Sequence, residues 1–136
     1  DLFGSQRCDC GAQLDFALQT ISEKRGVVLY LRQEGRGIGI INKLKAYRLQ
    51  DDGLDTIEAN LHLGLQIDAR HYDIAQQMLV DLGIKRIQLL TNNPEKIHAF
   101  DHGPISLVRR LPIVIDPTRD SAAYLNTKRD AMGHFL

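Results

Sequence analysis

The only two cysteines in this chain of 136 residues stand one residue apart, in the order Cys8-Asp9-Cys10. Thiolate sulfur suits a borderline ion such as Zn²⁺, and two ligands on one tight turn lose little chain entropy when both bind. Tetrahedral zinc takes at least three protein ligands, so the pair is half of a metal site that needs another donor. The competing reading is two ordinary reduced thiols near a terminus.

A second concentration of chemistry runs through Arg32, Gln33, Glu34, Gly35, Arg36, Gly37, Ile38 and Gly39. Glycines let backbone amides approach an anion, a following helix N-terminus favours negative charge, and a guanidinium fork matches phosphate oxygens. The spacing departs from the dinucleotide fingerprint, because the third glycine falls one residue early. The segment is therefore either a phosphate loop or a tight strand-to-helix turn with solvated charges. Glu34 would repel phosphate, so it suits the donor edge of a base such as guanine, or an ion pair with one of the arginines.

Three further groups carry two readings each. Asp68, Arg70 and His71 follow Gly64 and lead into a helix, where Asp68 could serve simply as an N-terminal residue. Thr91, Asn92 and Asn93 end a strand, the place where open α/β sheets bind ligands, with Lys96 one turn into the next helix; capping alone would also explain them. Tyr47 shares a helix with Ile41 and Leu44 and is as fitting in a core as in a site. His62, His98, His102 and His134 show no metal spacing with the cysteines and are expected at the surface or in packing roles, while His71, next to Arg70, carries two readings.

The elements that must position these residues alternate. Leu14, Ala17, Leu18 and Ile21 recur at helical spacing between Gly11 and Lys24, and Gly26 to Leu31 is a short apolar strand candidate. A helix is expected from Ile40 to Asp52, stopping near Gly53, and a short one after Asp55 and Thr56. Tyr72 to Leu82 is amphipathic, Gly83 sits at a helix C-terminus, and Arg86 to Thr91 is a strand. Asn93 and Pro94 start another helix as cap and first residue. Ile105 to Val108 and Ile113 to Ile115 are strand candidates, and Ser121 to Met132 is a closing helix. The expected fold class is α/β, a single layered domain over residues 1–136 with a mixed sheet flanked by helices.

Composition bounds the function. The hydrophobic share of 43% and charged share of 25% are those of a folded soluble domain, and no run is long enough for a membrane span. Lys+Arg and Asp+Glu both total 17, so there is no global basic field to draw nucleic acid and any anion must be held locally. The chain opens on Asp1, Leu2 and Phe3 with no initiator methionine, and a longer parent protein is expected.

Taken together, these segments resemble GTP cyclohydrolase II, the first committed enzyme family of riboflavin synthesis. The likeness runs through Arg7 to Gly11, Arg32 to Gly39, Asn42 to Tyr47, Asp55 to Asn60, Asp68 to Arg70, Leu90 to Pro94, Thr127, and Met132 to His134. It implies a cytoplasmic homodimer that hydrolyses GTP, releasing formate from the opened imidazole ring and diphosphate from the triphosphate, to give a diaminopyrimidine ribosylamino phosphate. It implies Zn²⁺ on three cysteines, with Cys8 and Cys10 as two and the third upstream of Asp1, and Mg²⁺ with the triphosphate. Gln13, Glu34, Gly35, Arg36, Thr56, Thr91 and Lys96 match positions that contact GTP. Asp68 matches a proton acceptor, Arg70 a residue that attacks or stabilises the α-phosphate, and Tyr47 a tyrosine near purine and metal. A guanidinium that never deprotonates is better suited to stabilising than to attacking. Two alternatives accompany this expectation: a relative that opens the ring but keeps the formyl group, and a purine-nucleotide-binding module that has lost its zinc.

Overall fold

The computed structural model of the chain describes residues 4–116 and 121–135. Six helices and two strands follow in the order α1 (Cys10–Lys24), α2 (Ile40–Asp51), α3 (Thr56–His62), α4 (Asp73–Asp81), β1 (Arg86–Leu90), α5 (Pro94–His98), β2 (Ser106–Leu111) and α6 (Ala122–Met132). The described residues divide into two compact units, one drawn from Asp1–Leu29 with Asp73–Leu136 and the other formed by Tyr30–Tyr72.

In the first unit β1 and β2 pair in parallel, from Arg86 opposite Ser106 to Leu90 opposite Leu111, with an irregularity between Ile87 and Gln88. Parallel neighbours need a crossover, and α5 lies within it. Local chemistry sets the element ends as the sequence predicts. Gly83 adopts φ +73 after α4, a conformation glycine takes without a Cβ penalty, and the Gly83 and Ile84 amides donate to the carbonyls of Val80 and Leu79. Asn93 Oδ1 accepts from the Glu95 amide at 2.9 Å, with Pro94 following as the first helical residue. The apolar core of this unit gathers Cys8, Ala75, Leu79, Ile105 and Ile113.

The second unit is built around α2 and α3. A reciprocal cap starts α3: Asp55 Oδ1 accepts from the Ile57 and Glu58 amides at 2.7 and 2.8 Å, while Glu58 Oε2 accepts from the Asp55 amide at 2.9 Å. Ala46, Tyr47, Ala59 and Asn60 are buried, whereas Ile41 and Leu44 on α2 are exposed.

Among the described residues the sheet has two strands, both parallel, where the sequence suggested a larger mixed sheet. Two strand candidates form no ladder. Residues 26–31 have no strand partner among the described residues, and just beyond them the Gln33 amide donates to the Leu31 carbonyl at 2.8 Å. At 113–115 the Asn92 side chain takes the place of a neighbouring strand: its Nδ2 donates to the Ile113 carbonyl at 2.6 Å and its Oδ1 accepts from the Ile113 amide at 3.0 Å. No described helix is long and apolar enough to cross a membrane.

Candidate active site

Cys8 is buried at the start of the first unit and Cys10 is the first residue of α1; both are thiols rather than a disulfide. Between them, Asp9 occupies the capping position without capping: its side chain turns inward to Lys128 of α6, Nζ to Oδ1 2.8 Å, and accepts from Gln13 Nε2 at 2.5 Å. Burial alone would raise the Asp9 carboxyl, but the Lys128 ammonium outweighs it and holds the group below the usual carboxylate range. The thiol pair is thus carried on a turn anchored from both sides. Its donor chemistry fits zinc and supplies two ligands, while no group of three His, Cys, Asp or Glu side chains is assembled among the described residues.

Thr91 and Lys96 lie on either side of the turn that follows β1. The Thr91 hydroxyl accepts from the Asn93 amide at 3.1 Å, and the Thr91 amide donates to the Leu111 carbonyl at 3.0 Å. Arg110 Nη1 reaches the Thr91 carbonyl and Asn92 Oδ1 at 3.3 and 3.2 Å. Thr91 is 2% exposed, so its hydroxyl builds the turn that presents Lys96 on α5.

In the second unit the glycine-rich loop and the segment 68–71 are laced together. Gln33 brackets the backbone of His71, donating from Nε2 to its carbonyl at 2.8 Å and accepting its amide on Oε1 at 2.9 Å. The Ala69 amide donates to the Arg36 carbonyl at 2.9 Å. Gly37, at φ +89, passes so close that a Cβ there would lie 2.8 Å from the Ala69 carbonyl oxygen, which only glycine permits. Held on this frame, Arg70 forks onto Asp68, with Nε 2.8 Å from Oδ1 and Nη2 on Oδ2. Burial would raise the Asp68 carboxyl, yet the Arg70 fork, with Arg36 adding to it, holds it below the usual range. Asp68 is therefore ionised at neutral pH and weakly basic.

Glu34 takes Lys43 of α2 as a partner, Nζ to Oε1 2.5 Å, and Lys43 stands 5.7 Å from the centroid of the Tyr47 ring. Tyr47 is 9% exposed, which joins the two sequence readings of it: a packed residue beside charged loop residues. Thr56, the first residue of α3, accepts on its hydroxyl from Gln50 Nε2 at 3.4 Å.

A family model described as GTP cyclohydrolase II matches residues 1–112. The chain belongs to that family. It is 54% identical over 137 residues to the riboflavin biosynthesis protein RibBA of Chlorobium phaeovibrioides, covering 100% of this chain and 33% of that protein. It is 53% identical over 138 residues to RibBA of Mycobacteroides abscessus, covering 100% and 33%. With the GTP cyclohydrolase-2 of Neisseria meningitidis serogroup B it shares 50% over 137 residues, covering 100% of this chain and 70% of that one. The chain therefore spans about a third of the length of the RibBA relatives.

For a GTP cyclohydrolase II chain, the sequence-selected residues fall into three clusters. Cys8, Cys10 and Gln13 share the turn and first helix of the first unit, and Thr91 and Lys96 share the turn after β1. Glu34, Gly35, Arg36, Asp68 and Arg70 lie on the two laced segments of the second unit, with Tyr47 and Thr56 on its helices. Sequence reasoning missed Lys128, Lys43 and the bracketing role of Gln33. Each acts across 119, 9 or 38 residues of chain, beyond any local pattern. His98 is exposed and pairs with Asp101 at 2.9 Å.

Proposed function

We propose that the protein carrying this chain hydrolyses GTP in riboflavin biosynthesis, releasing formate and diphosphate and leaving a diaminopyrimidine ribosylamino phosphate. The observation that carries the reading is the lacing of the Arg36 loop to the Arg70 segment, which holds two guanidinium-bearing residues on one frame beside an ionised carboxylate.

Guanidinium forks match phosphate oxygens and stay charged, so Arg36 and Arg70 bind and stabilise the triphosphate, and Lys96 adds a compact positive charge. Arg70 cannot attack phosphorus without losing a proton it does not give up, so its part is to stabilise charge at the α-phosphate. Asp68 orients Arg70 through the fork and accepts a proton once that guanidinium turns to phosphate. Glu34 accepts from the N–H edge of guanine, Gly35 gives its backbone room, and Gln13, Thr56 and Thr91 add polar contacts to the nucleotide. Tyr47 orients the opening ring, which favours release of the formyl carbon over its retention. Cys8 and Cys10 would hold two positions of a zinc ion, which would supply a water of lowered pKa. Mg²⁺ bound with the triphosphate would supply charge to offset the leaving diphosphate. The enzyme works as a cytoplasmic homodimer.

Arg70→Ala tests the reading. Diphosphate release from GTP is expected to fall by roughly a hundredfold or more, as for loss of one stabilising donor in a transition state, in a protein that stays folded although loss of the Asp68 pair lowers its thermal midpoint. Unchanged release would remove Arg70 from the chemistry.

A further inference from the structure

Lys43 of α2 grips Glu34, the loop residue that faces the base in the proposed function. Its Nζ lies 2.5 Å from Glu34 Oε1, where the Gly35 amide also donates at 3.3 Å. The Lys43 side chain is 11% exposed, far below the usual exposure of a lysine, so the pair is shielded from water on the lysine side. Its stem packs beneath the loop: a Cβ on Gly35 would stand 3.1 Å from Lys43 Cβ. The main chain under the carboxylate is fixed as well, because the Glu34 carbonyl accepts from the Gly37 and Gly39 amides at 3.2 and 2.9 Å. On its other side the ammonium stands 5.7 Å from the Tyr47 ring centroid, within range of the attraction between a cation and an aromatic face.

We propose that Lys43 is a specificity-determining positioning residue, which holds Glu34 as an oriented, acceptor-only carboxylate and so selects purine bases that present two adjacent N–H donors. The inference rests on the reading of this loop as a GTP site. An ionised carboxylate has about four lone-pair sites and no donor, so one oxygen can take the ammonium while the group still accepts from a base. Guanine offers a ring N–H and an amino group side by side. Adenine offers an amino group beside a bare ring nitrogen, whose lone pair would face the carboxylate and leave both acceptors unsatisfied. A neutral Glu34 carries a hydroxyl that could donate to that nitrogen, and the discrimination would be lost. Burial by itself pushes Glu34 toward its neutral form, and the Lys43 ammonium overrides this, keeping it below the usual carboxylate range. Lysine suits the task better than a forked arginine, since its compact charge makes a single contact, here with Oε1.

The test compares affinity for GTP and ATP in the protein expressed from its whole reading frame, for wild type, Lys43→Met, Glu34→Gln and the double variant. The wild type is expected to favour GTP, and Lys43→Met to lower the GTP-to-ATP ratio by roughly ten- to a hundredfold, the range for a hydrogen bond to a charged group. Glu34→Gln should lower it similarly and the double variant by no more than the worse single, because both act through one carboxylate. A merely structural lysine would weaken both nucleotides equally and leave the ratio intact. Lys43→Gln keeps a donor, on a stem one atom shorter, without the charge, and serves the same comparison should Lys43→Met fail to fold. A wild type that prefers GTP together with a lysine variant that keeps the full preference overturns the inference alone. A wild type without preference overturns the GTP reading and the inference with it.

Discussion

Lys128 and Asp9 form a buried ion pair, Nζ to Oδ1 2.8 Å with side chains 8% and 4% exposed, which ties α6 to the turn between the two cysteines. Removing one member of such a pair leaves an uncompensated charge in a poorly hydrated place, whereas removing both spares that cost. Lys128→Met is therefore expected to lower stability by about 3 kcal/mol, and Asp9→Asn with Lys128→Met to recover part of it. Denaturant unfolding of the three proteins checks this. Equal stability for Lys128→Met and wild type would show that the pair contributes nothing.

Asp68 and Arg70 give the stability of the second unit a pH dependence of known sign. The Asp68 pKa is lower in the folded protein than its ordinary 3.8, so the pair's stabilisation is fully present above that value and is lost as pH falls through the folded pKa. Asp68→Asn should accordingly be less stable than wild type at neutral pH, with the gap narrowing below about pH 3.8. Thermal midpoints of both proteins between neutral and strongly acidic pH measure it, and a gap that widens with acid would reverse the assignment.

Gly37 is where the laced segments come closest, at φ +89 with a Cβ position 2.8 Å from the Ala69 carbonyl oxygen. Gly37→Ala adds both an unfavourable backbone conformation and a clash with main chain, at a cost of about 1–3 kcal/mol. Hydrogen exchange is expected to speed at the Ala69 and His71 amides, whose acceptors Arg36 and Gln33 lie on the loop. Unaltered protection there would mean that the two segments hold together without the close approach.

What was legible in the sequence was local. Asp55, Asn93 with Pro94, and Gly83 mark element ends through hydrogen bonds that span only a few residues, whereas the part of Glu58 in the cap at Asp55 emerges only in the structure. The clusters at 8–10, 32–39 and 68–71 were visible as residue types. What joins them was not: Gln33 reaches His71 38 residues on, and Lys128 reaches Asp9 across 119. Apolar content misled at 113–115, where a strand-like run has its backbone satisfied by the Asn92 amide in place of a ladder. By residue type alone Glu34 suits a base or an arginine, while its ammonium partner Lys43 lies one helical turn into α2.

The most direct test of the account is the mass of the products formed when the protein from its whole reading frame is incubated with GTP, Zn²⁺ and Mg²⁺. Formate, diphosphate and the diaminopyrimidine ribosylamino phosphate are expected, with ring opening and bound zinc both lost in Cys8→Ser. A product that retains the formyl carbon, or GTP recovered unchanged, would contradict it.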